Sequence, residues 1–177
     1  MNIDWSKIDM RVSRTEIKKS YDRLQALSEP LANLNKKQLE NLPVSDFFLD
    51  ELKHLSQIKT AAAKNRQIKR VGKLILEENR HELIDALFEL LFDANQRAKI
   101  ETWITRLNLS DDNTLKLFIK QYKVSEYNSL YQLLLWIEYA KHLQDDELLQ
   151  ESLLDFKSYV KEDFDYCRIG RVDNSLF

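Results

Sequence analysis

Six basic side chains, Lys59, Lys64, Arg66, Lys69, Arg70 and Lys73, stand between Lys59 and Leu76 with no acid among them. On a helix that turns about 100° per residue, Lys59, Arg66, Arg70 and Lys73 fall within about 80° of one another, and Ala63 shares their strip. Ala61, Ile68, Val71 and Ile75 lie on the opposite side. Cations at one-turn and two-turn spacing match the repeated phosphates of a nucleic-acid backbone, which gives salt-dependent and largely sequence-independent affinity. Two other readings stay open: a solvated face neutralised by acids of a neighbouring element, or a docking surface for an acidic partner protein. A plain solvated face normally mixes signs, because Glu and Lys one turn apart support each other and like charges repel. A second basic cluster, Arg11, Arg14, Lys18, Lys19 and Arg23, surrounds the first helix and extends the track if the two helices are neighbours.

Other constellations point to less. Two Glu-x-x-His pairs, Glu51/His54 and Glu78/His81, have the spacing by which facing helices present ligands to a metal pair. From Asp46 to about Asn79 the chain contains no proline, and Gly72 is its only helix breaker. One continuous helix there, about 45–50 Å long, would hold Glu51 and Glu78 about 40 Å apart, too far to share a metal. Glu138 and His142 stand one turn apart in an acidic region and are read as a solvent-exposed pair. Cys167 has Arg168 beside it and no positioned histidine or acid, so it carries no nucleophile assignment. The two glycines, Gly72 and Gly170, are isolated, whereas Rossmann and Walker phosphate loops need several close together. The reading is a protein without catalytic residue, metal, cofactor or small-molecule substrate.

Helices must position the stripe. The chain has 177 residues with two Gly and two Pro, 29 Leu against 6 Val, and 32% charged side chains. That is the composition of amphipathic helices with solvated outer faces, and an all-α protein of about six or seven helices follows. Ser13 and Glu16 form a capping-box pattern before a helix starting near Thr15, which breaks at Ser28-Glu29-Pro30. A second segment runs through Leu31, Leu34, Leu39 and Leu42 to Pro43, and Ser45 caps the long helix at about 46–79. Further helices are expected at about 80–106, 111–121, 126–142 and 145–161. The helix from Tyr127 to Leu143 is apolar almost all round, which fits a buried central helix, or else Tyr127, Tyr131 and Trp136 form an interface or a platform for unpaired bases.

Charge divides the chain as well: residues 1–100 carry a net +3 and residues 101–177 a net −5. The expected organisation is a basic N-terminal helical subdomain over 1–93, an acidic C-terminal one over 94–162 and an irregular tail over 163–177. One cysteine excludes an internal disulfide, and no apolar run reaches the ~20 residues that span a bilayer. A cytoplasmic monomer is the expectation.

The basic residues also carry a resemblance. The stretches Val12–Lys19, Leu24–Leu27 through Leu39–Pro43, and Ile58-Lys59 followed by Arg66-Gln67 and Gly72-Lys73-Leu74 are similar to the YjgA/DarP family of bacterial ribosome-associated proteins. The likeness is close over about residues 12–90 and weaker beyond. It implies an all-helical, non-enzymatic assembly factor that binds the precursor of the large ribosomal subunit, contacts large-subunit rRNA and helps the peptidyl transferase centre mature. It also implies RNA-binding roles for Lys18, Lys59, Arg66, Gln67 and Lys73, to which the stripe adds Arg70 and the second cluster adds Arg14 and Lys19. In the C-terminal half, Ile104 stands where the family pattern has an arginine, and Tyr127, Tyr131 and Leu135 replace arginines of the following helix.

Overall fold

A computed structural model describes residues 3–122 and 126–162; the tail at 163–177, Cys167 included, lies outside them. All regular structure among the described residues is helical: a 3-10 turn at Trp5–Lys7, then α1 (Arg14–Ala26), α2 (Ser28–Ala32), α3 (Lys36–Glu40), α4 (Asp46–Gln57), α5 (Ala61–Leu74), a 3-10 turn at Ile75–Glu77, α6 (Arg80–Leu91), α7 (Ala94–Arg106), α8 (Asp112–Gln121), α9 (Tyr127–Leu143) and α10 (Asp146–Glu162). This is more helices than the six or seven expected, because two long runs are broken and the segment expected from Leu31 to Pro43 divides into α2 and α3. None of the described helices is long and apolar enough to cross a membrane.

The first break overturns the single helix over 46–79. Ile58 is extended (φ −76°, ψ 123°), and so is Thr60 (φ −93°, ψ 135°), which starts α5. No glycine or proline forces this turn. Ile58 and Thr60 are β-branched and only modest helix formers, so a helix through them is cheap to interrupt. The return lets Leu52 and Leu55 of α4 and Val71 and Ile75 of the α5 segment all be buried, each at 2% exposure or less. Burying such side chains is worth about 1.5–3 kcal/mol each, which outweighs the few helical hydrogen bonds lost at the turn. The second break, within the expected 80–106 helix, falls at Phe92-Asp93. There the Asp93 carboxylate accepts from the Gln96 amide N–H, and the Gln96 side chain accepts from the Asp93 N–H, a full capping box.

Contacts divide the chain into two units. The first contains residues 17–92. Its core is built from Leu27, Leu31, Phe48, Leu52, Leu83 and Leu87, all at 3% exposure or less. Asn35 and Gln38 form a capping box at the start of α3, and Ser45 caps α4 by accepting from the Phe48 N–H.

The second unit contains residues 3–16 and 93–162. Its early residues belong there because Trp5 packs on Tyr139 and stacks on His142, with ring centroids 5.3 and 5.6 Å apart, and because the Ser129 hydroxyl donates to Glu16. His142 is therefore not an ion-pair partner of Glu138, whose carboxylate takes Lys141 at 2.6 Å. Helix α9 buries Leu130, Leu134, Ile137 and Ala140 and leaves Tyr127 exposed, with the Tyr127 and Tyr131 rings stacked at 5.8 Å. Ile104, at the expected arginine position, is 9% exposed, and Arg106 lies over the Trp103 ring at 5.0 Å.

Helix α9 ends at Gln144, which has left-handed backbone (φ 56°, ψ 38°). A residue with a Cβ is strained there and glycine is not. Gln144→Gly is therefore expected to stabilise the protein by about 0.5–1 kcal/mol, a rise in Tm of roughly 1–4 °C, and Gln144→Val to destabilise it. Thermal unfolding followed by circular dichroism checks both signs.

Candidate nucleic-acid interface

Helix α5 returns antiparallel along α4 and is held there by two carboxylates. Glu51 of α4 accepts from Gln67 Nε2 through Oε2 at 2.6 Å and from an Arg70 guanidinium nitrogen through Oε1 at 2.8 Å. Gln67 Nε2 also reaches the Glu51 carbonyl at 3.3 Å. At the open end of the hairpin, Glu78 accepts from the Ser45 N–H at 2.9 Å and from its hydroxyl. These are the two glutamates whose spacing resembled a metal site. The turn at residues 58–60 removes the 40 Å separation argued from a continuous helix, and both carboxylates are engaged in closing the hairpin. Among the described residues no group of three or more His, Cys, Asp or Glu could hold a metal ion.

With Gln67 and Val71 turned inward, the other side of α5 carries the charge. Arg66, Lys69, Arg70 and Lys73 are all exposed. Arg66, Lys69 and Lys73 fall within about 60° on the helix, with Arg70 on their edge. Lys59 is exposed too, but it sits in the turn before α5, so it heads the stripe and is not part of its helical face. Among the described residues no carboxylate lies within 4.0 Å of Lys59, Arg66, Lys69 or Lys73, whereas Arg70 is paired with Glu51. Gln67, to which the resemblance gives an RNA-binding role, is 8% exposed, and its amide nitrogen is committed to Glu51.

The second cluster divides as well. Arg11 is neutralised by Asp9 at 2.8 Å, and this holds the Asp9 carboxyl at about 2, well below its ordinary value. Lys19 is half-buried and has a partner within the protein. Arg14 and Lys18 are exposed, and among the described residues no carboxylate lies within 4.0 Å of either. Lys18 shares one face of α1 with Tyr21, which is 53% exposed, and with Gln25. That face leads to the place where α1 crosses α5: a Cβ on Gly72 would stand 3.4 Å from the Gln25 carbonyl oxygen, which also accepts from the Ser28 hydroxyl at 2.7 Å. A side chain as small as a methyl at residue 72 would already be in van der Waals contact with α1.

Sequence reasoning missed Lys69, Tyr21 and Gln25. Lys69 precedes Lys73 by one turn, so its signal was present. It fell outside the strip because the strip was phased on Lys59, which is not helical.

The family described as "Dual-action ribosomal maturation protein DarP" matches residues 10–153. Proteins of that name resemble the chain at modest identity. The one from Vibrio vulnificus is 29% identical over 126 residues, 69% of this chain and 68% of the relative. The one from Pasteurella multocida is 28% identical over 117 residues, 64% of this chain and 63% of the relative. The one from Actinobacillus succinogenes is 23% identical over 171 residues, 90% and 92% of the two chains. No solved structure matches. The family match takes in most of the C-terminal half as well as residues 12–90, and the chain belongs to the DarP family.

The clamp has a measurable acid dependence. The hydrogen bond from Gln67, followed by Arg70 and its charge, holds the Glu51 carboxyl below its ordinary value of 4.5. A group depressed in the folded state contributes stability that is present above its unfolded value and is lost as pH falls through the folded one. Glu51→Ala leaves the Gln67 amide without its carboxylate and is expected to cost about 1–3 kcal/mol at pH 7. The cost should shrink as pH falls below about 4.5, the ordinary value at which the carboxylate of the unfolded chain takes up its proton. Urea titrations of both proteins at pH 7 and at pH 3.5–4 measure it.

Proposed function

We propose that the chain is a non-enzymatic RNA-binding factor in late maturation of the large ribosomal subunit, with its α5 stripe set against large-subunit rRNA of the precursor particle. The observation that carries this reading is the row of exposed cations, Lys59, Arg66, Lys69 and Lys73, with no carboxylate beside them among the described residues. A surface face that serves only solubility is ordinarily neutralised locally, and this one is not. A phosphate meeting these side chains displaces only water and counterions, and the counterions it releases supply the affinity. Arg70 adds to the row, since a guanidinium has five N–H donors and Glu51 takes one of them, which leaves the others for phosphate.

Lys18 and Arg14, exposed on α1, are the natural extension of the track. Gln67 serves it from behind by fixing α5 on α4, and Lys19 is half-buried with a partner within the protein. The printed names of the relatives, ribosomal maturation proteins, support the choice of ribosomal RNA over other polyanions. On this reading the protein works in the cytoplasm as a single chain with no cofactor, and its partner is the precursor particle near the peptidyl transferase centre. The stacked pair Tyr127 and Tyr131 and the buried Ile104 support a structural or protein-contacting role for residues 93–162.

Replacing Lys59, Arg66, Lys69 and Lys73 together by Gln should leave helicity and Tm near wild type, because none of the four has a carboxylate partner among the described residues and Gln is a good helix former. Affinity for large-subunit rRNA fragments should fall, and the slope of log K against log salt should shrink by about three to four, at ~0.7–0.9 per phosphate. Fluorescence anisotropy across a salt series reads both. Unchanged affinity and slope in a folded variant would remove the RNA reading and favour an acidic protein partner.

A further inference from the structure

At the crossing of α1 and α5 lies an open groove of about 580 Å³, whose walls include Gln25, Ala26, Ile68, Lys69, Gly72 and Lys73. We propose that this groove seats a single unpaired RNA nucleotide, its base between Gln25 and Ile68 and its phosphate on Lys69 and Lys73. The inference rests on the proposed function and deepens it, from a backbone track to a track with one base-binding position.

Four features of the groove converge on that occupant. Its volume lies within the ~300–1,000 Å³ of small-ligand sites. Gly72, Ala26 and Ile68 give it an apolar floor, which suits the face of a base. At Gly72 the lining carries no side chain, and the Gln25 carbonyl oxygen lies 3.4 Å from where a Cβ would stand. Lys69 and Lys73, one turn apart on one rim, have no carboxylate within 4.0 Å among the described residues, so a phosphate would meet no competitor. The Gln25 side-chain amide is likewise without a hydrogen-bond partner among the described residues and offers both a donor and an acceptor to a base edge.

The polarity also sets the orientation. The two lysines lie on the α5 side of the groove, which places the phosphate there and the base toward α2. Tyr21, 53% exposed and one turn before Gln25 on the same face of α1, stands where the neighbouring nucleotide could stack. A fully paired stem could reach the rim lysines but could not place a base on the floor, since its bases stay within the helix stack.

The test uses the full chain and two blunt RNA duplexes matched in length, one fully paired and one with a single-nucleotide bulge. The wild type should bind the bulged duplex at least about fivefold more tightly, the lower end of the effect of one seated base. Ala26 is exposed, so Ala26→Phe can fill the groove without disturbing the core. It should abolish the preference while leaving affinity for the paired duplex and its salt slope unchanged. Gln25→Leu, which keeps the bulk and removes the amide, should reduce the preference in the same direction and supplies a second reading if the first variant unfolds. Equal wild-type binding of the two duplexes, with the salt slope intact, overturns the groove and leaves the proposed function standing. Binding of neither duplex, even at low salt, overturns both.

Discussion

The return of α5 along α4 is the constraint on which the rest of the first unit depends. It exists because one continuous helix could not bury Leu52, Leu55, Val71 and Ile75 together, and it is locked by two acidic side chains. Glu51 joins the middle of α4 to Gln67 and Arg70, and Glu78 joins the start of α4 to the end of the α5 segment through Ser45. Both are multidentate contacts of a carboxylate with groups from the other side of the hairpin. Charge-assisted hydrogen bonds of this kind are stronger than neutral ones and are directional. They determine which face of α5 turns inward.

That choice has an electrostatic consequence. With Gln67 and Val71 facing α4, the basic residues of α5 have to face solvent, and the two acids of the clamp are committed to closing the hairpin. Glu51 takes Arg70 alone, and Glu78 takes Ser45. The surplus positive charge is therefore a product of the way the hairpin is closed as much as of the number of lysines. The same packing brings α1 against α5 at Gly72, which adds Lys18 and Tyr21 to one end of the charged face and leaves the groove beside Lys69 and Lys73.

Much of this was legible in the residues. The all-helical class followed from leucine, glycine and proline usage, and helices α8, α9 and α10 lie within a residue or two of their expected limits. The exposed stripe at Arg66, Arg70 and Lys73 was visible from helical spacing alone. The turn at residues 58–60 was not, because it uses no glycine, proline or strong cap. It is a tertiary effect, driven by burial that local propensity does not encode. The error carried forward in three ways: Lys59 was put on the helical face, Lys69 was left off it, and Glu51 and Glu78 were placed at opposite ends of a rod. Gln67 illustrates a related limit, since a resemblance marks a residue as characteristic of a family without saying whether it touches the ligand or holds the helix that does.

The central claim is that a helix clamped by carboxylates presents unneutralised cations to the RNA of a maturing large subunit. Sucrose-gradient fractionation of cell extract, with the protein detected across the fractions at low and high salt, tests it most directly. The account predicts that the protein sediments with particles lighter than the mature large subunit and containing its rRNA, and that raising the salt concentration releases it into the free-protein fractions. Recovery only in the free-protein fractions at low salt would contradict it.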